Sequence, residues 1–110
     1  MPQKEMPWIR QDMLRLPDQP PIPLGSQAWF DWLSHTTAFC YQPPGATDRL
    51  TLRKEKRRQH FYWYAYLKRD AKLHNAYVGK TQSLTPARLQ QVFASLMSKV
   101  RRQRQLFRDS

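Results

Sequence analysis

The chain has 110 residues, 40% of them hydrophobic, with a mean hydropathy of −0.82 and a formal net charge of +11. This length is enough for one folded domain and too short for two, and no apolar run approaches the roughly 18 residues of a membrane span. The N-terminus lacks the apolar region of a secretory signal peptide, and the single cysteine, Cys40, cannot form an internal disulfide, so we expect a reduced, cytoplasmic protein.

The positive charge is concentrated in the C-terminal part of the chain. Residues 1–48 carry three basic and five acidic side chains, whereas residues 49–110 carry sixteen basic and three acidic ones, which gives net charges of −2 and +13. Such an excess repels itself unless a polyanion neutralises it, so a nucleic-acid partner is favoured over a merely solubilising surface. A membrane is not expected as partner, because no clean basic amphipathic helix accompanies the charge.

Proline dominates the first part of the chain. Eight of the nine prolines precede residue 45, and six of them lie within residues 1–25. Because proline lacks an amide hydrogen and has a fixed φ, this segment predicts an extended arm with one helical turn around Gln11–Leu16. Apolar side chains such as Trp8 and Leu14 indicate that part of the arm packs against the domain or against a larger protein partner.

A short helix and a short strand are predicted to follow the arm. Ser26 is a favourable N-cap, and apolar side chains recur with helical spacing from about residue 27 to residue 35. Residues 38–41 are apolar and precede a Pro-Pro-Gly turn, which is typical of a short buried strand.

Three further strands are predicted over residues 50–56, 61–69 and 72–78. The first alternates between apolar and polar side chains, and the second is rich in aromatic residues that favour strands. The connections 57–60 and 69–72 are short enough for hairpins, so these strands should form an antiparallel meander.

The clearest predicted helix begins at Pro86, behind the N-cap residue Thr85. Its apolar stripe consists of Leu89, Val92, Phe93, Leu96 and Val100. That stripe should cover one face of the sheet, because a small antiparallel sheet needs such a layer for stability.

The predicted fold class is therefore α+β: an N-terminal extended arm, a short helix, a three- or four-stranded antiparallel meander sheet, and a C-terminal amphipathic helix packed on one sheet face. The arm covers residues 1–25, a single nucleic-acid-binding domain covers 26–100, and a basic tail covers 101–110.

Strand alternation assigns side chains to the two faces of the sheet. If Leu50, Leu52, Ala76 and Val78 face the helix, the open face carries Thr51, Arg53, Glu55, Asn75 and Tyr77. Both faces of the aromatic strand are apolar. We place its tyrosines inward and Trp63 with Ala65 on the open face, and the opposite phase remains the alternative.

A basic, aromatic sheet face can read duplex DNA. Arg, Lys, Asn and Glu reach base edges in the major groove, and cations at turns and strand ends reach the flanking phosphates. The predicted nucleic-acid-binding residues are Arg53, Lys54, Glu55, Lys56, Arg57, Arg58, Trp63, Lys68, Arg69, Lys72, Asn75, Tyr77, Lys80, Arg101, Arg102 and Arg104.

We therefore expect a non-enzymatic DNA-binding protein, either a transcriptional regulator or an accessory factor of a mobile element. One alternative is binding of RNA or other single strands, on whose unpaired bases surface tyrosines and tryptophans stack. Another is a protein–protein adaptor that uses the arm. Neither a cofactor nor a metal is expected, because the three histidines lie on different predicted elements and no CxxC or HxxxH spacing is present.

One motif points to catalysis. The segment Tyr77-Val78-Gly79-Lys80-Thr81 is similar to the second half of the GIY-YIG nuclease signature, with Tyr66 eleven residues earlier and Arg88 near the position of the family's arginine. The resemblance implies metal-dependent cleavage of DNA. The first half departs from the signature, since Tyr-Ala-Tyr replaces Gly-Ile/Val-Tyr. The only acidic residue after Arg88 is Asp109, so the metal-binding carboxylate is missing and the nuclease reading is the less favoured one.

A second resemblance covers more of the chain. A basic three-stranded meander that ends in Tyr-Val-Gly and continues into an amphipathic helix resembles the arm-type DNA-binding domains of tyrosine integrases and the DNA-binding domain of plant ethylene-response factors. This resemblance implies that the open sheet face lies in the major groove. The segments PLGSQAWFDWL, LRKEKRR, YWYAYLKR and AYVGKTQSLTPARL also resemble a module ahead of bacterial LuxR/MalT-type regulators, over about residues 22–96.

Overall fold

A computed structural model describes residues 6–108, with side chains described up to residue 102. The elements in chain order are β1 (Trp8–Arg10), β2 (Met13–Leu14), β3 (Ile22–Pro23), α1 (Gln27–Leu33), β4 (Ala38–Gln42), β5 (Leu50–Arg57), β6 (His60–Arg69), β7 (Lys72–Gly79), a 3-10 turn (Thr81–Ser83) and α2 (Pro86–Arg108). No helix in this part of the chain is long and apolar enough to cross a membrane.

The strands form one mixed sheet in the order β3-β2-β1-β4-β5-β6-β7. The pair β1–β4 is parallel and the other pairs are antiparallel. The α+β class, the meander β5-β6-β7 and the C-terminal helix are confirmed. The sheet has seven strands, however, where three or four were predicted.

The additional strands come from the segment that the sequence predicts as an arm. This segment is extended, but its backbone pairs within the sheet, with β1 between β2 and β4. Gln11 and Asp12 have φ angles of 52° and 58° and form the two-residue turn between β1 and β2. The helical turn predicted around Gln11–Leu16 is therefore wrong, because a hairpin uses these residues instead.

Both helices begin at the predicted caps. The Ser26 hydroxyl accepts a hydrogen bond from the Trp29 amide at 3.3 Å, and α1 starts at the next residue after Ser26. The Thr85 hydroxyl accepts from the Arg88 amide at 3.1 Å, and Pro86 is the first residue of α2. Local capping therefore explains where the two helices start.

The hydrophobic core lies between one face of the sheet and the two helices. Trp29 of α1 is fully buried, and its indole nitrogen donates to the Leu84 carbonyl at 2.8 Å. Its ring centroid lies 5.3 Å from that of Phe39, which lies 5.3 Å from that of Trp63. The α2 stripe contributes Leu89, Val92, Leu96 and Val100. In the described part of the chain no helix covers the opposite face, which is called the open face below.

Strand β6 has the opposite phase to the predicted one. Its core-facing residues are Trp63, Ala65 and Leu67, which are at most 1% exposed, and its open-face residues are His60, Tyr62, Tyr64, Tyr66 and Lys68. This arrangement buries the indole of Trp63, whose ring nitrogen donates to the Thr81 hydroxyl at 3.1 Å. The tyrosine hydroxyls of the open face can remain hydrated, so none of them needs a buried partner.

Tyr41 provides a test of core electrostatics. Burial raises the pKa of its phenol to about 12, and the carboxylate of Asp12 adds to the shift. The phenol of an unfolded chain titrates near pH ~10. Because the folded-state pKa is the higher one, this contribution to stability is fully present below about pH 10 and is lost as the pH rises towards 12.

We therefore expect the melting temperature to fall more steeply between about pH 9 and pH 12 in the unmodified protein than in Tyr41→Phe. Thermal unfolding followed by circular dichroism at several pH values measures this difference. At neutral pH the variant should lose little stability, because the Tyr41 hydroxyl has no hydrogen-bond partner among the described residues. Equal alkaline slopes for the two proteins would contradict the prediction.

Candidate nucleic-acid interface

The open face carries a cluster of tyrosines. Cross-strand pairing places Tyr64 between Arg53 of β5 and Tyr77 of β7, and places Tyr62 beside Glu55. The ring centroid of Tyr77 lies 5.6 Å from that of Tyr64 and 6.0 Å from that of Tyr62. Tyr77 is 50% exposed. These three rings, Tyr62, Tyr64 and Tyr77, form an aromatic surface outside the core and are called the tyrosine cluster.

Charged groups surround the tyrosine cluster. The guanidinium carbon of Arg57 lies 5.4 Å from the centroid of the Tyr64 ring, and its Nη2 donates to Glu55 at 2.9 Å. The Tyr66 hydroxyl also donates to the Glu55 carboxylate, and this hydrogen bond raises the pKa of Tyr66. Glu55 is thus engaged by two donors on its own face, which reduces its repulsion of an approaching anion.

The structure brings together six of the residues predicted from the sequence. They share the open face through the β5, β6 and β7 registers: Arg53, Glu55, Arg57, Lys68, Asn75 and Tyr77. Because their side chains alternate with core residues, their common orientation follows from the pleat of the sheet.

Trp63 and Lys54 lie on the core side instead. Trp63 is fully buried and cannot meet a ligand in the folded protein. The Lys54 ammonium donates to the Leu33 carbonyl at 3.0 Å, at the end of α1, and lies 5.4 Å from the Trp63 ring centroid. Burial lowers the pKa of Lys54. This cation therefore joins α1 to the sheet, where it complements the negative end of the helix.

The other predicted residues are dispersed. Arg69 forms an ion pair with Asp48, and Arg101 and Arg102 are exposed on α2, behind the sheet. Four others lie at turns and strand ends, namely Lys56, Arg58, Lys72 and Lys80. The side chain of Arg104 lies outside the described residues.

The tip of the β5–β6 hairpin projects beyond its neighbours. The register of β4 with β5 ends at Arg53, and that of β6 with β7 ends at Trp63. Among the described strands, the residues beyond these points pair only with each other, as Glu55–Tyr62, Lys56–Phe61 and Arg57–His60. This two-stranded ribbon, residues 55–62, is exposed and basic.

Strand β1 adds a feature that the sequence did not reveal. The guanidinium carbons of Arg10 and Arg49 lie 4.4 Å and 5.0 Å from the centroid of the Trp8 ring. Together with Arg53 and Lys68 they line a shallow cleft on the open face, which is called the Trp8 cleft. Parallel pairing of β1 with the distant β4 brings these groups together, and no local sequence signal announces such a pairing.

The orientation of the β6 tyrosines, in contrast, can be predicted from the sequence. Leu67 and Lys68 alternate at the end of this strand, and the leucine shares its phase with Trp63 whereas the lysine shares its phase with the tyrosines. Because a charged lysine is expected on the solvent side, the position of Lys68 predicts that the tyrosines lie on the open face.

Arg88 and Tyr66 carry the resemblance to the nuclease family, and both have partners within the fold. Arg88 donates from Nε to the Val78 carbonyl at 3.0 Å and from Nη2 to the Tyr77 carbonyl at 3.1 Å. These bonds connect α2 to the edge strand β7 and satisfy carbonyls at that edge. Tyr66 donates to Glu55, as described above.

Comparison with known proteins does not indicate what the open face binds. No family model, no curated protein sequence and no solved structure matches this chain, so its function has to be argued from the surface itself.

Proposed function

We propose that the open face binds single-stranded nucleic acid, with unpaired bases stacked on the tyrosine cluster and phosphates held by the surrounding cations. The observation that carries this proposal is the position of Tyr62, Tyr64 and Tyr77 on a sheet face that no described helix covers. Base–aromatic stacking contributes about 1–3 kcal/mol per base and tolerates any sequence. In this reading the protein is a binding module without enzymatic activity.

The charge of the face supports the same reading. Arg53 and Lys68 flank the tyrosines, while Arg57 and the acidic Glu55 form an ion pair in which their charges offset each other. The guanidinium carbon of Arg57 also lies 5.4 Å from the centroid of the Tyr64 ring, a cation–π contact that places positive charge beside the tyrosine cluster. An aromatic platform beside a row of cations is the arrangement that single-strand-binding surfaces use.

The width of the sheet favours a single strand over a duplex as ligand of this face. Seven strands spaced by about 4.8 Å extend across about 29 Å, whereas the DNA major groove is about 12 Å wide. A sheet of this width cannot lie face-down in a groove. An unpaired strand can instead lie flat across it, and its bases remain accessible to the rings.

Duplex DNA remains a second candidate, for a different part of the molecule. The ribbon of residues 55–62 consists of two strands, which is the width that the major groove admits. Its tip carries Lys56, Arg57, Arg58 and His60. A DNA-binding regulator or a mobile-element accessory factor would insert this ribbon, and would leave the tyrosine cluster outside the groove.

Two double variants separate these candidates. Tyr64→Ala with Tyr77→Ala removes two stacking surfaces, and we expect affinity for a single-stranded 20-mer of RNA or DNA to fall at least about 30-fold. Affinity for a duplex of the same sequence should change much less. Lys56→Gln with Arg58→Gln changes the ribbon only and should lower both affinities modestly, through lost phosphate contacts. Fluorescence anisotropy at one fixed salt concentration measures the dissociation constants of both variants and of the unmodified protein for the two ligands.

Phe61→Ala is the matched control for the tyrosine variant. Phe61 is 55% exposed, close to the 50% of Tyr77, but it lies on the other side of the sheet. Its loss should leave single-strand affinity unchanged. If the tyrosine variant binds single strands as tightly as the unmodified protein does, the proposal is wrong. If the ribbon variant alone loses binding and does so for duplex, the second candidate replaces it.

A further inference from the structure

The Trp8 cleft lies on the open face at one end of the tyrosine-bearing strand β6. Its lining comes from β1, β4, β5, β6 and β7 and from the loop before β5. Tyr66 borders both the cleft and the row of β6 tyrosines. A strand that follows these tyrosines along the sheet therefore reaches the cleft at its end.

The cleft has a large excess of positive charge. Four cationic side chains line it, namely Arg10, Arg49, Arg53 and Lys68, and all four are exposed. Asp48 is the one carboxylate among its described lining residues, and this group is already paired with the guanidinium of Arg69. Without a bound anion, the four like charges repel one another.

The amount of charge indicates which anion fits. A phosphodiester within a strand carries one negative charge, whereas a terminal phosphate monoester carries about 1.5 to 2 at neutral pH and offers three acceptor oxygens. Four cations exceed what a single phosphodiester can neutralise. A terminal phosphate together with the first phosphodiester that follows it carries about 2.5 to 3 negative charges, which neutralises most of the four cations.

Trp8 holds two of these cations in place. The guanidinium carbons of Arg10 and Arg49 lie 4.4 Å and 5.0 Å from its ring centroid. Backbone pairing of β1 with β4, which places Trp8 opposite Cys40, fixes the position of this residue in the sheet. Arginines that already stack on a ring lose less side-chain freedom on binding an anion, so the cleft is pre-organised for a phosphate.

From these observations we infer that the Trp8 cleft binds the terminal phosphate monoester of a nucleic-acid strand and thereby sets the end from which the strand lies on the tyrosine cluster. The inference rests on the proposed function for the strand, but binding of the phosphate group itself does not require the tyrosines. It assigns a role to β1, the strand that the sequence placed in an extended arm.

The first experiment uses adenosine monophosphate, inorganic pyrophosphate and adenosine as probes in isothermal titration calorimetry. The two phosphorylated probes should bind measurably and adenosine should not. The second experiment compares 10-mers of one sequence with a 5′-phosphate, a 3′-phosphate or neither. One phosphorylated form should bind about tenfold more tightly than the unphosphorylated one, as expected for additional charge-assisted hydrogen bonds.

Arg10→Gln with Arg49→Gln should abolish this preference while affinity for the unphosphorylated 10-mer stays within about threefold. The matched control is Arg101→Gln with Arg102→Gln, which removes two exposed cations behind the sheet and should retain the preference. Both variants keep the buried residues, and thermal unfolding verifies that each is folded. Equal binding of the three 10-mers by the unmodified protein would overturn the inference.

Equal weakening of every probe in the Arg10/Arg49 variant would also overturn it, because the cleft would then act only through general electrostatics. The outcome is distinguishable from failure of the proposed function. If Tyr64→Ala with Tyr77→Ala leaves oligonucleotide binding intact but the phosphate preference persists, the cleft is supported and the stacking proposal fails. If the tyrosine variant loses oligonucleotide binding but the unmodified protein binds the three 10-mers equally, the stacking proposal is supported and the inference about the cleft fails.

Discussion

Replacement of Trp63 by alanine should lower the free energy of unfolding by about 4 kcal/mol, since large-to-small substitutions of buried tryptophan remove both apolar contacts and a filled volume. Trp63 is fully buried, its ring centroid lies 5.3 Å from that of Phe39, and its indole nitrogen donates to the Thr81 hydroxyl at 3.1 Å. Removing it also leaves the partly buried cation Lys54 without its aromatic neighbour.

The matched control for this prediction is Tyr62→Ala, one residue earlier on the same strand. Its ring lies on the open face, so we expect a cost below about 1 kcal/mol. Urea unfolding followed by circular dichroism gives both values. Because adjacent strand residues point to opposite faces, the comparison measures the phase of β6 directly. Similar costs for the two variants, or a larger cost for Tyr62→Ala, would show that the strand phase is wrong.

Replacement of Gly79 by alanine should cost about 3 kcal/mol, from backbone strain together with overpacking. Gly79 has a φ of 136°, which side chains of L-residues rarely adopt, and an added Cβ would lie 2.8 Å from the Cβ of Ser83. The glycine of the Tyr-Val-Gly segment is thus required where β7 passes into the 3-10 turn, irrespective of any catalytic role.

Gly45→Ala separates the two contributions to this cost. Gly45 also has a positive φ, 76°, but no heavy atom lies within 4 Å of the position of an added Cβ. Its substitution should cost about 1 kcal/mol, from strain alone. Urea unfolding of the two variants side by side provides the measurement. If both lose the same stability, the close approach of Ser83 contributes nothing and the prediction for Gly79 fails.

The partition of aromatic residues has a consequence for function. One set, which includes Trp29, Phe39 and Trp63, forms the core, whereas the tyrosine cluster stays at the surface. The tyrosine hydroxyls keep their water on the open face, which accounts for their position by folding alone, and the rings that remain at the surface are accessible to a ligand. The phase of β6 therefore decides whether its tyrosines are accessible to the unpaired bases of the proposed ligand.

The sequence by itself determined the elements whose causes are local. Ser26 and Thr85 cap the helices that they precede, Pro86 opens α2, and short connections join β5, β6 and β7 as hairpins. Each of these features depends on residues only a few positions apart, so it can be predicted from a single sequence. The charge distribution is likewise visible in the sequence, and strand alternation correctly placed Arg53, Glu55, Asn75 and Tyr77 on the open face.

The tertiary structure alone decided the rest. Pairing of β1 with β4 joins residues about thirty positions apart, and it turns a proline-rich segment into part of the sheet and of the Trp8 cleft. The phase of β6 was predicted wrongly because residues 61–66 are apolar or aromatic on both faces, and only Leu67 and Lys68 at the end of the strand distinguish the two faces. The packing of the core determines the phase. Burial of the Trp63 indole costs less free energy, because its nitrogen donates to the Thr81 hydroxyl, whereas buried tyrosine hydroxyls would lose their hydrogen bonds to water.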